Sequence, residues 1–221
     1  AQIAECIGAL PEEIYFTSGG TESNNWVIKS SALSDSRKRP MITSQIEHHA
    51  LLNACTSIER LGYPVEYLPV NSNGEVIPET LERMMDDRIR LVSVMFSNNE
   101  IGTIQPVEQL AKIAHSYGAL FHTDAVQALG HLKLNVAELD VDFLSASAHK
   151  FNGPKGVGFL YIKKGAQLPP YSDGGAQEFG LRAGTENVAG VVGMAVALQK
   201  NCVRIEGNAR RLYELERTMI D

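Results

Sequence analysis

Val141-Asp142-Phe143-Leu144-Ser145-Ala146-Ser147-Ala148-His149-Lys150-Phe151-Asn152-Gly153-Pro154-Lys155-Gly156-Val157-Gly158 decides the architecture of this chain. Its first half is a run of apolar and small residues, the pattern of a strand covered on both faces. Its second half is broken by glycine and proline, as a loop leaving a strand is. His149 and Lys150 stand at the junction. A lysine at the end of a buried strand is costly unless it is paired, neutralised or used covalently. In an α/β sheet the carboxyl ends of strands are also where ligands gather. A desolvated amine there has a lowered pKa and suits a Schiff base with an aldehyde.

Working outward, short apolar runs alternate with helical patterns. Glu13–Phe16, Met41–Ser44, Val65–Leu68, Arg90–Phe96, Leu120–Thr123, Asp142–Ala146 and Val157–Ile162 read as strands. Glu22–Leu33, Ala50–Leu61, Glu79–Met85, Val107–Tyr117, Val188–Leu198 and Arg204–Met219 carry apolar residues at helical spacing. Pro78 and Pro106 suit first turns, Gly62 and Gly118 suit C-terminal caps, and Asn73-Gly74 marks a turn. The alternation predicts an α/β fold: a mostly parallel seven-stranded sheet with helices on both faces. Ala1–Leu10 reads as the end of a helix already under way and Arg210–Asp221 as a charged helix that stops, so we expect a domain cut from something longer. Residues 1–200 would form its core and 201–221 a helix leading away from it.

Composition narrows the function classes. The chain is 44% hydrophobic and 21% charged, with a net charge of −6. That balance argues against a nucleic-acid or anionic-membrane surface. No apolar run approaches the ~20 residues of a membrane span, and nothing at the start resembles a signal peptide. A cytoplasmic location, or an organelle matrix, is expected. Cys6, Cys55 and Cys202 lack any spacing for a metal or redox motif. They read as buried free thiols, and no metal is expected.

The ends of the runs deliver a consistent set of groups. Thr17-Ser18-Gly19-Gly20-Thr21-Glu22-Ser23-Asn24 leads into a helix whose N-terminus suits phosphate, although most such turns are only helix caps. Gln45-Ile46-Glu47-His48-His49 offers imidazoles that either cap a helix or stack on a ring and move protons. Ser97-Asn98-Asn99-Glu100 is either a turn or a donor to a phenolate oxygen. His122-Thr123-Asp124-Ala125-Val126-Gln127 presents a carboxylate, with Gln127 one helical turn further on the same side. A lysine for an aldehyde and an aspartate for a pyridinium nitrogen are what pyridoxal 5'-phosphate requires of a protein.

Those stretches, with Ile101-Gly102-Thr103, Ser147-Ala148-His149-Lys150 and Arg182-Ala183-Gly184-Thr185-Glu186-Asn187, resemble the cysteine desulfurases. These are class V members of the aminotransferase-like, fold-type I pyridoxal phosphate enzymes. The similarity favours the branch that serves iron–sulfur cluster assembly. The resemblance implies that Lys150 is the Schiff-base lysine, Asp124 pairs with the pyridine nitrogen, Gln127 contacts the phenolic oxygen and His48 stacks on the ring. It puts Asn99 near the substrate carboxylate and ring oxygen, and Gly20, Thr21, Ser147 and His149 on the phosphate. Thr185 would reach the phosphate of a partner subunit, which implies a homodimer. The implied reaction takes sulfur from L-cysteine, leaves L-alanine and passes the sulfur to an enzyme persulfide, then to an acceptor or scaffold protein. Other class V lyases or aminotransferases, or a cofactor-binding remnant without activity, are the alternatives. The resemblance covers the large cofactor domain only. The persulfide cysteine and the substrate-carboxylate arginine have no counterpart here, so this stretch alone is expected to be inactive. Phe179 stands where the family usually has arginine.

Overall fold

A computed structural model describes residues 1–220; Asp221, the last residue of the expected terminal helix, lies outside the described residues. The seven strands are β1 (Ile14–Thr17), β2 (Met41–Ser44), β3 (Val65–Leu68), β4 (Leu91–Ser93), β5 (Leu120–Asp124), β6 (Phe143–Ser147) and β7 (Gly158–Ile162). They form one sheet in the order β1-β7-β6-β5-β4-β2-β3. All neighbouring pairs are parallel except those of β7, which runs antiparallel to both β1 and β6.

The helices are α1 (Gln2–Ile7), α2 (Gly20–Leu33), α3 (His49–Glu59), α4 (Pro78–Met84), α5 (Val107–Ser116), α6 (Val136–Leu139), α7 (Val188–Cys202) and α8 (Ile205–Ile220). Strand side chains alternate between two cores, as a period of two requires. Met41, Leu91, Phe143, Leu160 and Ile162 meet α2 and α3 around the fully buried Trp26. Ile42, Val92, Phe121, Leu144, Phe159 and Tyr161 face the opposite way, into the core that α1, α4, α5, α6 and α7 cover. Gly62 and Gly118 end α3 and α5 at positive φ. At each, the glycine N–H and the following N–H close a paired turn on the last carbonyls (Gly62 to Glu59, Tyr63 to Ile58; Gly118 to His115, Ala119 to Ala114).

The β4 ladder is shorter than Arg90–Phe96. Val94 and Phe96 still donate to β5, at His122 O and Asp124 O. On the other side, the Glu47 carboxylate takes the Met95 N–H and so replaces the next rung from β2. α8 buries none of its residues and exposes Leu212, Tyr213, Leu215, Met219 and Ile220. No single helix among the described residues is long and apolar enough to cross a membrane; α7 and α8 pass only as a pair bent by 70°.

Candidate functional site

The carboxyl ends of β1, β2, β4, β5 and β6 converge on one cleft of about 470 Å³. Gly20, Thr21, His48, Asn99, Asp124, Gln127, Ser147, His149 and Lys150 all line it, and Asn24, Met95 and Lys155 join them. Thr185 does not; it lies in a separate, smaller hollow with Glu178 and Arg182.

Asp124 ends β5 and is 5% exposed. Its Oδ2 accepts from Asn24 Nδ2 at 2.6 Å and its Oδ1 from the Val126 N–H at 2.9 Å. Burial still pushes its carboxyl above the usual range, outweighing those bonds and the weaker influence of nearby His48 and Lys150. Asn24 Oδ1 is buried without a partner. A carboxylate fixed from two sides yet short of countercharge is a place for a cation.

Glu47 lies fully buried beside this group. Its Oε1 accepts from Ser44 Oγ at 2.5 Å and the Met95 N–H at 2.8 Å, while Oε2 has no partner. Burial pushes its carboxyl up to about 8, the Ser44 and Met95 bonds opposing and the Asp124 charge adding to the shift. Beneath, His122 bridges three strands, with Nδ1 2.8 Å from Ser93 Oγ and Nε2 2.9 Å from Ser145 Oγ. Burial pulls it down to about 3, so it is neutral across the physiological range.

The phosphate-competent end is built by close approach. Gly19 sits at φ 147, and a Cβ at Gly158 on β7 would stand 2.7 Å from Gly19 Cα. A Cβ on Gly20 would stand 2.5 Å from Val126 Cγ2. Only glycines therefore let the turn reach the sheet. No side chain caps the first turn of α2, which leaves its N–H groups for an anion. Ser147 Oγ and His149 Nδ1, 2.9 Å apart, flank that turn. Burial and the charges of Lys150 and Lys155 lower the His149 imidazole below its ordinary value. Glu22 in the same turn holds Arg182 by two bonds of 2.7 and 3.1 Å, which tie the Arg182–Asn187 loop to α2.

Three expectations need correction. Lys150 is exposed, not desolvated: β6 ends at Ser147, and a 3-10 turn over Ala148–Phe151 lifts the lysine to the open rim. Gln127 reaches the cleft through a turn closed by Ala128 N–H and Leu129 N–H on Ala125 O, not through a helix. Cys6 and Cys202 are only partly buried; Cys55 alone is buried. His48 caps α3, its Nδ1 accepting from the Ala50 N–H at 3.0 Å, and its ring also lines the cleft. Asn98 is the turn residue, its Oδ1 accepting from Glu100 and Ile101 N–H, and Asn99 is the one that lines the cleft. Phe179 is 77% exposed outside the cleft, in a left-handed conformation (φ 57) with its ring edge-on to Tyr15.

Sequence reading gave no role to Asn24, Glu47 or Lys155. Asn24 and Glu47 stand inside the quoted stretches, but only the fold brings Asn24 to a partner a hundred positions away.

Residues 1–216 match the aminotransferase class-V family. The chain is 52% identical over 215 residues to the cysteine desulfurase IscS of Dictyoglomus turgidum, covering 97% of this chain and 55% of that protein. To the cysteine desulfurase IscS of Methanosarcina thermophila it is 49% identical over 219 residues, covering 99% and 54%. A solved NifS-like protein superposes with a TM-score of 0.96 at 44% identity, over 99% of this chain and 61% of that one. SspA in complex with cysteine gives a TM-score of 0.87 at 40% identity, over 90% and 58%. The chain thus spans about half the length of the curated relatives it matches.

Proposed function

Because the chain belongs to the aminotransferase class-V family, we propose that it is the cofactor-binding part of a cysteine desulfurase, which takes sulfur from L-cysteine and leaves L-alanine. The observation that carries this reading is Asp124: a buried, doubly fixed carboxylate with no direct ion-pair partner among the described residues, on the wall of a cleft that Lys150 also lines. The residues present fit pyridoxal 5'-phosphate. Asp124 offers the charge that a protonated pyridine nitrogen needs, and the glycine-made approach at Gly19-Gly20 leaves room for a phosphate at the start of α2.

When bound, that cofactor supplies an electron sink for bonds broken at the substrate α-carbon. Asp124 would hold the ring cationic, and Asn24 would keep its Oδ2 aimed. Gln127 would donate to the phenolic oxygen, while Gly20, Thr21, Ser147 and His149 would hold the phosphate. Lys150, accessible at the rim, would be the covalent attachment point. His48 would lie against the ring, and because Nδ1 is engaged by Ala50 its proton is carried at Nε2. Asn99 would orient the substrate carboxylate.

Among the described residues no cysteine lines the cleft. On this reading none of Cys6, Cys55 and Cys202 accepts the sulfur, and the 221-residue stretch alone should form no persulfide. Thr185, outside its own cleft, suits a phosphate across a homodimer, and delivery of sulfur to an iron–sulfur scaffold protein is the corresponding role of the whole enzyme. The full-length protein given L-cysteine and a reducing thiol should release alanine and sulfide in equal amounts. Release of a keto acid instead would place it among the aminotransferases.

A further inference from the structure

Cys6 and Cys202 stand at opposite ends of the sequence, yet the fold brings them together. Cys6 is on α1 and Cys202 closes α7; the two helices pack against each other, and both thiols sit at the edge of the same apolar core. The packing of α1 on α7 brings their side chains close enough to interact, and each is partly open to solvent.

Both sulfurs are carried on fixed supports. Ile3, Ala4 and Ile7 anchor α1 in that core. The end of α7 is pinned by Asn201, whose Nδ2 donates to Phe151 O at 2.7 Å and Ala197 O at 2.8 Å, and whose Oδ1 accepts from Asn152 Nδ2 at 3.3 Å. The thiol pair thus stands one residue from the side chain that clamps the turn bearing Lys150. The neighbouring Cys6 thiol holds the Cys202 thiol below its ordinary value while its own is raised, which favours a thiolate at one member of the pair. Cys55 differs: it is fully buried, and burial pushes its thiol up to about 12.

We propose that Cys6 and Cys202 form a dithiol modification site that a peroxide oxidises to an intramolecular disulfide linking α1 to the end of α7. The Cys202 thiolate attacks one peroxide oxygen and takes it as a sulfenic acid, the O–O bond breaking to release water after protonation. The Cys6 sulfur then displaces the sulfenic oxygen as a second water, forming the S–S bond. Two thiols lose two electrons and two protons, and one hydrogen peroxide becomes two waters.

The test exposes the full-length, cofactor-loaded protein to a small excess of hydrogen peroxide, blocks free thiols by alkylation and digests it without reductant. The expected product is one peptide pair joining Cys6 to Cys202, lighter by two hydrogen masses than the separate peptides. Dithiothreitol should separate it, and Cys6→Ser and Cys202→Ser should each abolish it. Cys55 should stay reduced. The proposal is overturned if both cysteines remain alkylatable, if either pairs with another cysteine, or if they oxidise separately to sulfinic acids. These outcomes are read on the unsubstituted protein, so they stand even if a serine variant fails to fold.

Discussion

The two edges of the sheet handle charge in opposite ways. At the amino-terminal edge of β6, Asp142 accepts from the Phe121 N–H at 2.7 Å and from His115 Nε2 at 2.8 Å. Next to it, Asp140 pairs with Lys163 at 2.5 Å, and that bond holds its carboxyl below the usual range. His115 is raised in return, chiefly by its bond to Asp142. Lys163 is there because β7 runs antiparallel to β6 and so ends where β6 begins. At the carboxyl edge, Asp124 and Glu47 are buried with hydrogen bonds but no direct ion pair among the described residues, and both are raised. Satisfied charge at one edge holds the fold; unsatisfied charge at the other waits for a ligand.

Substitutions at the two edges should therefore behave differently. The largest effect is expected from Asp124→Ala, which should weaken pyridoxal phosphate binding by about 1,000-fold, on the scale of ~4 kcal/mol for a broken buried ion pair. In the cofactor-free protein the relief of removing an uncompensated carboxylate should roughly offset the cost of stranding Asn24 Nδ2 and the Val126 N–H, so its stability should change little; absorbance titration and thermal melting check the two halves. Asp142→Ala should do the reverse. Stranding the Phe121 N–H and His115 should cost about 3 kcal/mol and lower Tm by roughly 5–10 °C, with cofactor affinity of the folded protein unchanged. Equal effects of the two substitutions on binding would erase the contrast between the edges.

Glu47 sharpens the comparison through pH. Its carboxyl titrates near 8 when folded and near its ordinary value when unfolded, so the folded state holds the extra proton between those values. Stability from this group is complete at low pH and is lost as pH rises toward 8. From pH 6 to pH 8 the loss should be about 2 kcal/mol in the cofactor-free protein. Denaturant melts of Glu47→Gln should show that part of the slope removed. Smallest of all, Lys163→Ala removes a half-exposed pair and should cost about 0.5 kcal/mol, less in high salt.

The alternation of apolar runs and helical spacing was enough to read seven strands and their layering, because each strand residue serves one of two cores. The cleft was legible because α/β sheets collect function at strand ends, and five of the seven runs delivered a group there. Local pattern could not reveal how a side chain substitutes for backbone. Glu47 ends the β2–β4 ladder by taking the Met95 N–H, a long-range event that periodicity does not encode. The exposure of Lys150 was missed for a related reason: hydropathy marks where a strand is buried, not that the chain rises in a 3-10 turn two residues before the lysine. The meeting of Asn24 with Asp124, and of Cys6 with Cys202, likewise exists only once helices α1, α2 and α7 are docked.

In the proposed function, Asp124 and Lys150 together make a pyridoxal phosphate site. The full-length protein incubated with that cofactor, reduced with borohydride and digested, tests it directly. We predict a single pyridoxyl-bearing peptide, modified at Lys150, whose yield collapses in Asp124→Ala. Label spread over surface lysines such as Lys155, or a yield indifferent to Asp124, would contradict it.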